Sequence, residues 1–329
     1  MMITKGKSRL AAAALAGVPA IFGTTAASAE PIKLKGMTPW TKDYPSSEPF
    51  FVFQRLIEER LGDKVTLEYL GGPEVTPAFE QFEALRNGVV DVILGAAAYY
   101  TSQVPEASAM LLARTSPQEQ RESGYYDLMR QIHRDKGDVI YLSNLTGVPN
   151  VGFRLYVNKM IDKADLTGMK IRVSPVYVPL VEGLGGTPVN MPTTEIYTAL
   201  ERGVVDGYGQ TYMGIMDFAL HEVTKYVIDV PFYSKDNAIL MNAETWDGLP
   251  EDVRAELDQI AIEVENEMTR FMEEKVSKEN DLLREAGLEF IELDEAETKK
   301  YLDAAYDKRW ADMEESSPEF AEQLKKLGG

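Results

Sequence analysis

The chain has no cysteine and only two histidines, His133 and His221, among its 329 residues. Disulfide bonds are therefore excluded, and zinc sites and thiol nucleophiles lack their usual ligands. Neither histidine lies beside a serine in a nucleophile-elbow pattern, and we expect both to be surface or helix-capping residues. The sequence accordingly predicts no metal, no cofactor and no catalytic centre.

Positive charge is also scarce, and the phosphate-binding motifs are missing. The 34 Lys and Arg residues are outnumbered by 53 Asp and Glu residues, which gives a net charge of −19. A body this acidic repels nucleic acid, so we expect no nucleic-acid partner. Neither G-x-G-x-x-G nor G-x-x-x-x-G-K-[ST] occurs, so nothing supports a nucleotide site. A site for a small anion would need basic residues of its own.

Long apolar runs are limited to one stretch near the N-terminus, Leu10 to Phe22. Three basic residues precede this stretch, and Ala27-Ser28-Ala29 follows it, which is the pattern of a cleaved secretory signal. The stretch is too short for a stable membrane-spanning helix. We therefore predict a signal peptide at 1–29, cleavage after Ala29 and export to the periplasm. Loss of the three basic residues takes the net charge from −19 to −22.

The roughly 300 residues that follow are too many for one comfortable core and favour two domains. Strand-like and helix-like segments alternate, which predicts an α/β fold with parallel-rich sheets flanked by helices. We predict domain I at 30–150 plus about 235–275, and domain II at 151–234 plus about 276–329. Two such sheets would have a ligand cleft between them, at the carboxyl ends of the strands.

Two further patterns support this organisation. The sequence Gly-Val-Val-Asp occurs at 88–91 and again at 203–206, each time between a predicted helix and a predicted strand. Apolar residues recur at helical spacing from Asp252 to about Ala286. A helix of that length is too long to cover one sheet, so it should cross both domains.

Two arginines lie in strand-like, largely apolar segments. Arg172 ends the run Lys170-Ile-Arg after a turn at Gly168, and Arg154 lies within residues 152–157. A buried guanidinium needs an anion, and two converging guanidinium groups match the planar fork of a carboxylate. The alternative is that both are solvated or paired with Asp or Glu, which this chain has in surplus.

These motifs together resemble the extracytoplasmic solute receptors of TRAP transporters. The resemblance implies a two-domain periplasmic binding protein fold of the type II kind. The resemblance covers nearly the whole chain after the signal segment and is most specific between Gly152 and Gln210. Its elements are Gly-Phe-Arg154, Asp165-Leu-Thr-Gly-Met-Lys-Ile-Arg-Val173, Gly186-Thr-Pro-Val-Asn-Met191, Glu195-Ile-Tyr-Thr-Ala-Leu200 and Gly203-Val-Val-Asp-Gly207.

The resemblance implies roles for four residues of the second domain. Arg172 matches the family's principal carboxylate anchor, and Arg154 matches an arginine that often assists it. Gln210 is a loose match to the polar residue that follows the Val-Asp-Gly turn. Thr193 stands where many members have an aromatic residue, which leaves more room or more polarity.

Four more residues are candidates because they follow strands at the expected cleft. They are Trp40, Glu74, Tyr99 and Tyr212. Each has a structural alternative: aromatic residues at loop ends also serve core or hinge packing, and Glu74 could cap the helix that follows it.

The resemblance implies a periplasmic receptor that captures a small organic acid through its carboxylate. Hinge closure would then deliver the acid to a membrane permease, and we expect the receptor to be a monomer and not an enzyme. An ABC-type solute-binding protein and a secreted enzyme acting on organic acids stay open as alternatives. The sequence also leaves open whether the ligand is a C4-dicarboxylate, a sugar acid, a keto acid or an aromatic acid.

Overall fold

A computed structural model describes residues 1–3, 30–145, 152–211 and 214–329. Its strands are β1 (Ile32–Met37), β2 (Val65–Gly71), β3 (Val92–Ala96), β4 (Val139–Asn144), β5 (Phe153–Val157), β6 (Lys170–Val173), β7 (Thr187–Asn190), β8 (Gly207–Thr211), β9 (Tyr226–Ile228), β10 (Asn237–Asn242) and β11 (Glu289–Ile291). Its helices are α1 (Glu48–Leu61), α2 (Gln81–Arg86), α3 (Ala109–Leu112), α4 (Pro117–Ser123), α5 (Tyr125–Gly137), α6 (Val178–Gly183), α7 (Ile196–Glu201), α8 (Ala243–Gly248), α9 (Glu251–Glu285), α10 (Glu295–Ser316) and α11 (Ala321–Gly328).

The strands form two sheets. The first has the order β2-β1-β3-β10-β4, and the second has the order β11-β9-β5-β8-β6-β7. Helices pack against both, so the predicted two-sheet α/β architecture is confirmed. The chain therefore passes from the first sheet to the second after β4, returns before β10, and passes back before β11.

Both sheets are mixed, and the parallel pairs join β1 to β2 and β3, β6 to β7 and β8, and β9 to β11. β10 runs antiparallel to β3 and β4, and β5 runs antiparallel to β8 and β9. These two strands follow the passages between sheets, so no βαβ unit sets their direction. All six residues of β10 are buried, as expected for a central strand covered on both faces.

Helix α9 crosses both sheets, as predicted. Leu257, Ile260 and Val264 on its first half belong to the core of the first sheet. Leu283, near its end, belongs to the core that contains Tyr208 of the second sheet.

The C-terminal helices also reach both sheets. Ala304 of α10 lies against Gly183 of α6, on the side of the second sheet. At the end of α11, which follows α10, the carbonyl oxygen of Gly328 accepts from the main-chain N–H of Arg114 at 2.8 Å. The chain end is thus attached to the helices of the first sheet, whereas the sequence assigns it to domain II. The domain boundaries stay a prediction.

Pro31–Gly329 form one compact unit. Most of the predicted signal peptide lies outside the described residues. Across the described ranges, no helix combines the length and apolar character needed to cross a membrane.

One histidine departs from expectation. His133 on α5 is fully buried, and it is neither a surface residue nor a helix cap. Its Nδ1 lies 2.8 Å from the carbonyl oxygen of Met129, and its Nε2 lies 3.1 Å from the hydroxyl of Tyr100. Because a carbonyl only accepts, Nδ1 carries the proton and Nε2 accepts from Tyr100.

Candidate functional site

The site is built around Arg172 on the short strand β6. A left-handed turn at Gly168 (φ +76°) leads into this strand, with no atom within 4 Å of where a Cβ would lie. Arg172 is paired in register with Val189 of β7 and with Tyr208 of β8, so it lies inside the second sheet. Only 1% of its surface is exposed.

Neutral groups hold the guanidinium in place. Its Nε donates to the carbonyl oxygen of Met191 and its Nη1 to that of Gly209, both at 2.9 Å. Its Nη2 donates to the hydroxyl of Thr193 at 3.3 Å. Burial lowers the pKa of Arg172, while the nearby Tyr99 hydroxyl partly offsets that effect. Within the described part of the chain, no carboxylate forms an ion pair with this cation. A buried cation of this kind is ready to accept an external anion.

Arg172 faces a cavity at the carboxyl ends of the parallel strands, where the sequence predicts a cleft. The cavity holds about 370 Å³ of space free of protein atoms, part of it open to solvent. The lining comes from both sheets: Trp40, Tyr44, Ser46, Ala96, Ala98, Tyr99, Phe153, Arg172, Ser174, Tyr177, Thr193, Gln210, Thr211, Lys235, Asp236 and Asn237.

Five of the eight predicted site residues line this cavity together: Trp40, Tyr99, Arg172, Thr193 and Gln210. The first two come from loops after β1 and β3, and their rings lie 6.3 Å apart. Gln210 on β8 donates from Nε2 to the hydroxyl of Tyr44 at 3.1 Å, a contact that links the two sheets across the cavity.

The other three residues are placed differently. Arg154 is opposite Gln210 in the β5–β8 pair but is not among the cavity's lining residues. Its guanidinium forms an ion pair with Asp229 and donates to Asn280 Oδ1 at 2.8 Å. The anion that a buried arginine requires is here supplied by the protein.

Glu74 is exposed and also lies outside the cavity lining. Its Oε1 accepts from the main-chain N–H of Gly72 at 2.7 Å, so it shapes the loop after β2. Tyr212 lies outside the described residues.

Sequence reasoning missed several lining residues. Tyr44, Ser174 and Tyr177 come from the segments just after β1 and β6, and proximity to Trp40 and Arg172 could have suggested them. Lys235 and Asp236 precede β10, and a pair of charges directly before a strongly apolar strand was an available signal.

The missed pair brings two further charges into the cavity. Lys235 is 2% exposed and Asp236 is 4% exposed. Burial lowers the pKa of Lys235 to about 7, and the neighbouring Asp236 partly opposes that shift. Burial also raises the pKa of Asp236 to about 6, against hydrogen bonds from main-chain N–H groups. Both charged side chains are therefore largely removed from water.

The donor set of the cavity is suited to hydrogen bonding and charge pairing. No group of three or more His, Asp or Glu residues that could hold a metal ion occurs in the described ranges. Two mixed sheets that enclose a buried cation, with aromatic walls and polar side chains from both, define a solute-binding receptor.

Comparison with known proteins gives the family. Residues 37–316 match the model of bacterial extracellular solute-binding protein family 7, DctP. The chain belongs to this family, and the predicted TRAP solute receptor is confirmed. The family is one of receptors rather than enzymes.

Three relatives illustrate the likeness. The C4-dicarboxylate-binding periplasmic protein DctP of Rhodobacter capsulatus is 25% identical over 303 residues, which cover 83% of this chain and 86% of the relative. A TRAP periplasmic solute binding protein from Desulfovibrio salexigens with bound orotic acid has a TM-score of 0.80 at 21% identity, covering 90% and 97% of the two chains. One from Sulfitobacter with bound β-D-galacturonate has a TM-score of 0.77 at 20% identity, covering 89% and 98%.

Proposed function

We propose that this receptor captures a small organic acid in the cavity and that Arg172 binds the carboxylate. The observation that carries the proposal is the buried guanidinium of Arg172, which neutral acceptors hold and which has no counter-ion among the residues that the structure describes. The similar proteins support the class of ligand, because one is named for C4-dicarboxylates and two contain orotic acid and β-D-galacturonate.

The other lining residues have complementary roles in this proposal. Thr193 and Gln210 supply hydrogen bonds from the second sheet, and Trp40 and Tyr99 supply aromatic walls from the first. Arg154 contributes indirectly, because its ion pair with Asp229 orders the strand that lies beside Gln210.

The setting of the proposal is the periplasm. Cleavage after Ala29 would release a mature chain that begins at Glu30 and acts as a monomer. Its two domains, divided near 150, 235 and 275, would close around the acid, and the closed form would dock onto the TRAP permease in the membrane. Closure is expected because lining residues come from both sheets.

Refolded, ligand-free protein should first be screened by thermal shift against organic acids, since a bound ligand raises stability by mass action. Calorimetry with the best ligand then tests the anchor. We expect Arg172→Ala to lose about 2–5 kcal/mol of binding free energy, as for a desolvated, hydrogen-bonded charge pair. Arg172→Lys should lose less, because it keeps the charge but not the planar fork.

Arg202→Ala is the matched control, because this arginine is exposed on the same half of the chain and lies outside the cavity lining. Its affinity should equal that of the wild type. Near-native affinity in Arg172→Ala would place the carboxylate elsewhere. An assay for turnover of the same ligand tests the enzyme alternative.

A further inference from the structure

The segment Lys235-Asp236-Asn237 brings three polar side chains into the cavity. It lies where the chain returns from the second sheet to the first, just before and at the start of β10. All three side chains are at most 4% exposed, and all three line the same cavity as Arg172. The segment is therefore part of the binding surface.

Asp236 is fixed with its carboxylate at the cavity wall. Its Oδ2 accepts from the main-chain N–H of Ala98 at 2.7 Å, and its carbonyl oxygen accepts from Ala97 N–H at 2.9 Å. These contacts attach the segment 235–237 to the loop after β3. No basic side chain of the described residues forms an ion pair with Asp236, so its carboxylate retains capacity to accept from a ligand.

Lys235 and Asn237 complete the segment. Lys235 Nζ lies 3.9 Å from the sulfur of Met272 on α9, and this sulfur is a weak acceptor. The Nδ2 of Asn237 is buried and has no hydrogen-bond partner among the described residues. A buried donor of this kind is costly to leave unpaired, and a ligand oxygen would satisfy it.

The ionisable groups of the lining include two bases, Arg172 and Lys235, and one carboxylic acid, Asp236. With all three groups ionised, their charges sum to +1, which one carboxylate neutralises. A second carboxylate would leave an uncompensated negative charge in a desolvated cavity beside Asp236, and such an arrangement is strongly unfavourable.

We propose that Asp236, with Lys235 and Asn237, makes this receptor selective for monocarboxylates whose remaining part is neutral and forms hydrogen bonds. In this arrangement Arg172 binds the carboxylate. Asp236 accepts from a hydroxyl or N–H group of the ligand, and Asn237 donates to a ligand oxygen. Dicarboxylates are disfavoured. The inference rests on the proposed function and narrows its class of ligand.

The test uses pairs of acids that differ only in the second carboxylate. Succinamate and glutaramate, in which an amide replaces one carboxylate, are compared with succinate and glutarate by calorimetry on ligand-free protein at neutral pH. We expect each amide to bind at least about tenfold more tightly than its dicarboxylate, because like charges in a desolvated site repel strongly. Asp236→Asn should reduce that ratio at least about tenfold, since it removes the charge and keeps the shape.

Asp307→Asn is the control, because Asp307 is exposed on α10 and lies outside the cavity lining, so the substitution removes one charge that does not belong to the site. The ratio of amide affinity to dicarboxylate affinity in Asp307→Asn should match that of the wild type. A thermal melting curve without ligand shows whether each variant folds. Wild-type protein that binds dicarboxylates as tightly as their amides overturns the inference, whatever the variant does. An unchanged ratio in folded Asp236→Asn overturns it as well.

The two proposals fail in different ways. If acids bind through Arg172 but dicarboxylates are preferred, the selectivity is wrong and the receptor function stands. If neither these four acids nor a wider organic-acid library binds, the proposed function fails and the selectivity fails with it.

Discussion

Arg172 and Arg154 are both buried strand arginines, and the charges of their neighbours distinguish them. Arg154 has Asp229 as an ion-pair partner, whereas the guanidinium of Arg172 is held by carbonyl and hydroxyl oxygens that carry no net charge. Removing one member of a buried ion pair leaves the other member uncompensated. Arg154 therefore belongs with the residues that hold the strand, and Arg172 with those available to a ligand.

His133 makes stability depend on pH. Burial lowers its pKa to about 4, below the ordinary value of 6.5, because the charged ring cannot be solvated. A depressed pKa contributes stability above pH 6.5 that is lost as the pH falls from 6.5 towards 4. Between pH 7 and pH 5 we expect the wild type to lose about 2 kcal/mol more unfolding free energy than His133→Gln, which cannot titrate.

Urea unfolding at the two pH values measures this difference. His133→Gln should be less stable than the wild type at pH 7, because it disturbs the contacts with Met129 and Tyr100. Only the change with pH is diagnostic. Parallel losses in both proteins would mean that the buried ring does not titrate in this range.

The site residues that sequence could predict are those with a local signal. Arg172 is a charge inside an apolar strand, and Trp40 and Tyr99 follow strands at the expected edge. The same local signal is present at Arg154, but its counter-ion Asp229 lies 75 residues further along the chain. No local pattern tells whether such an arginine binds a protein carboxylate or a ligand.

At the scale of elements, the repeated Gly-Val-Val-Asp segments at 88–91 and 203–206 form the same turn in both sheets. Their glycines have φ values of +69° and +65°. Each aspartate donates from its main chain to a lysine carbonyl and accepts from the N–H of that same lysine, which is Lys35 in one turn and Lys170 in the other. These hydrogen bonds attach the beginning of β3 to β1 in the first sheet and the beginning of β8 to β6 in the second.

Replacing either glycine isolates the contribution of backbone conformation. No atom lies within 4 Å of a Cβ at Gly88 or Gly203, so Ala would meet no steric clash with neighbouring residues. We expect each variant to lose about 1 kcal/mol of unfolding free energy, since alanine disfavours the left-handed region. Denaturant unfolding measures the loss.

Gly248→Ala is the matched control. This glycine also has open space around it, but it lies in α8 without a positive φ. The substitution should be neutral or slightly stabilising. Equal losses at Gly88, Gly203 and Gly248 would contradict the conformational account.

Most helices and strands were predictable, because each depends on periodicity within the segment itself. β10 is predictable as a strand from its apolar run at 237–242. Its insertion between β3 and β4 is not predictable, since that position depends on pairing with segments roughly 95 to 150 residues earlier in the chain. That insertion buries Lys235 and Asp236, which otherwise resemble a solvated charge pair in a loop.

At the scale of the whole receptor, the chain passes between the sheets three times. Helix α9 contributes to the cores of both sheets, and α10 and α11 together reach both. Ligand contacts from both sheets should stabilise a closed arrangement, because a ligand shifts an equilibrium by its differential affinity for the two states. The crossover at 235–237 is both a connection between the sheets and part of the cavity. We therefore expect ligand binding to be coupled to the position of this segment when the receptor closes.

Small-angle scattering on the mature chain, residues 30–329, tests this coupling. We expect the radius of gyration to fall when saturating ligand is added to ligand-free wild type. In Arg172→Ala at the same ligand concentration it should stay at the ligand-free value, because the anion that bridges the sheets is no longer held. Wild-type protein that binds the acid at full affinity with an unchanged scattering profile would instead have a rigid pocket. A rigid pocket would offer a membrane permease no difference in shape between the empty and the loaded receptor, so recognition of the loaded form would have to depend on something other than closure.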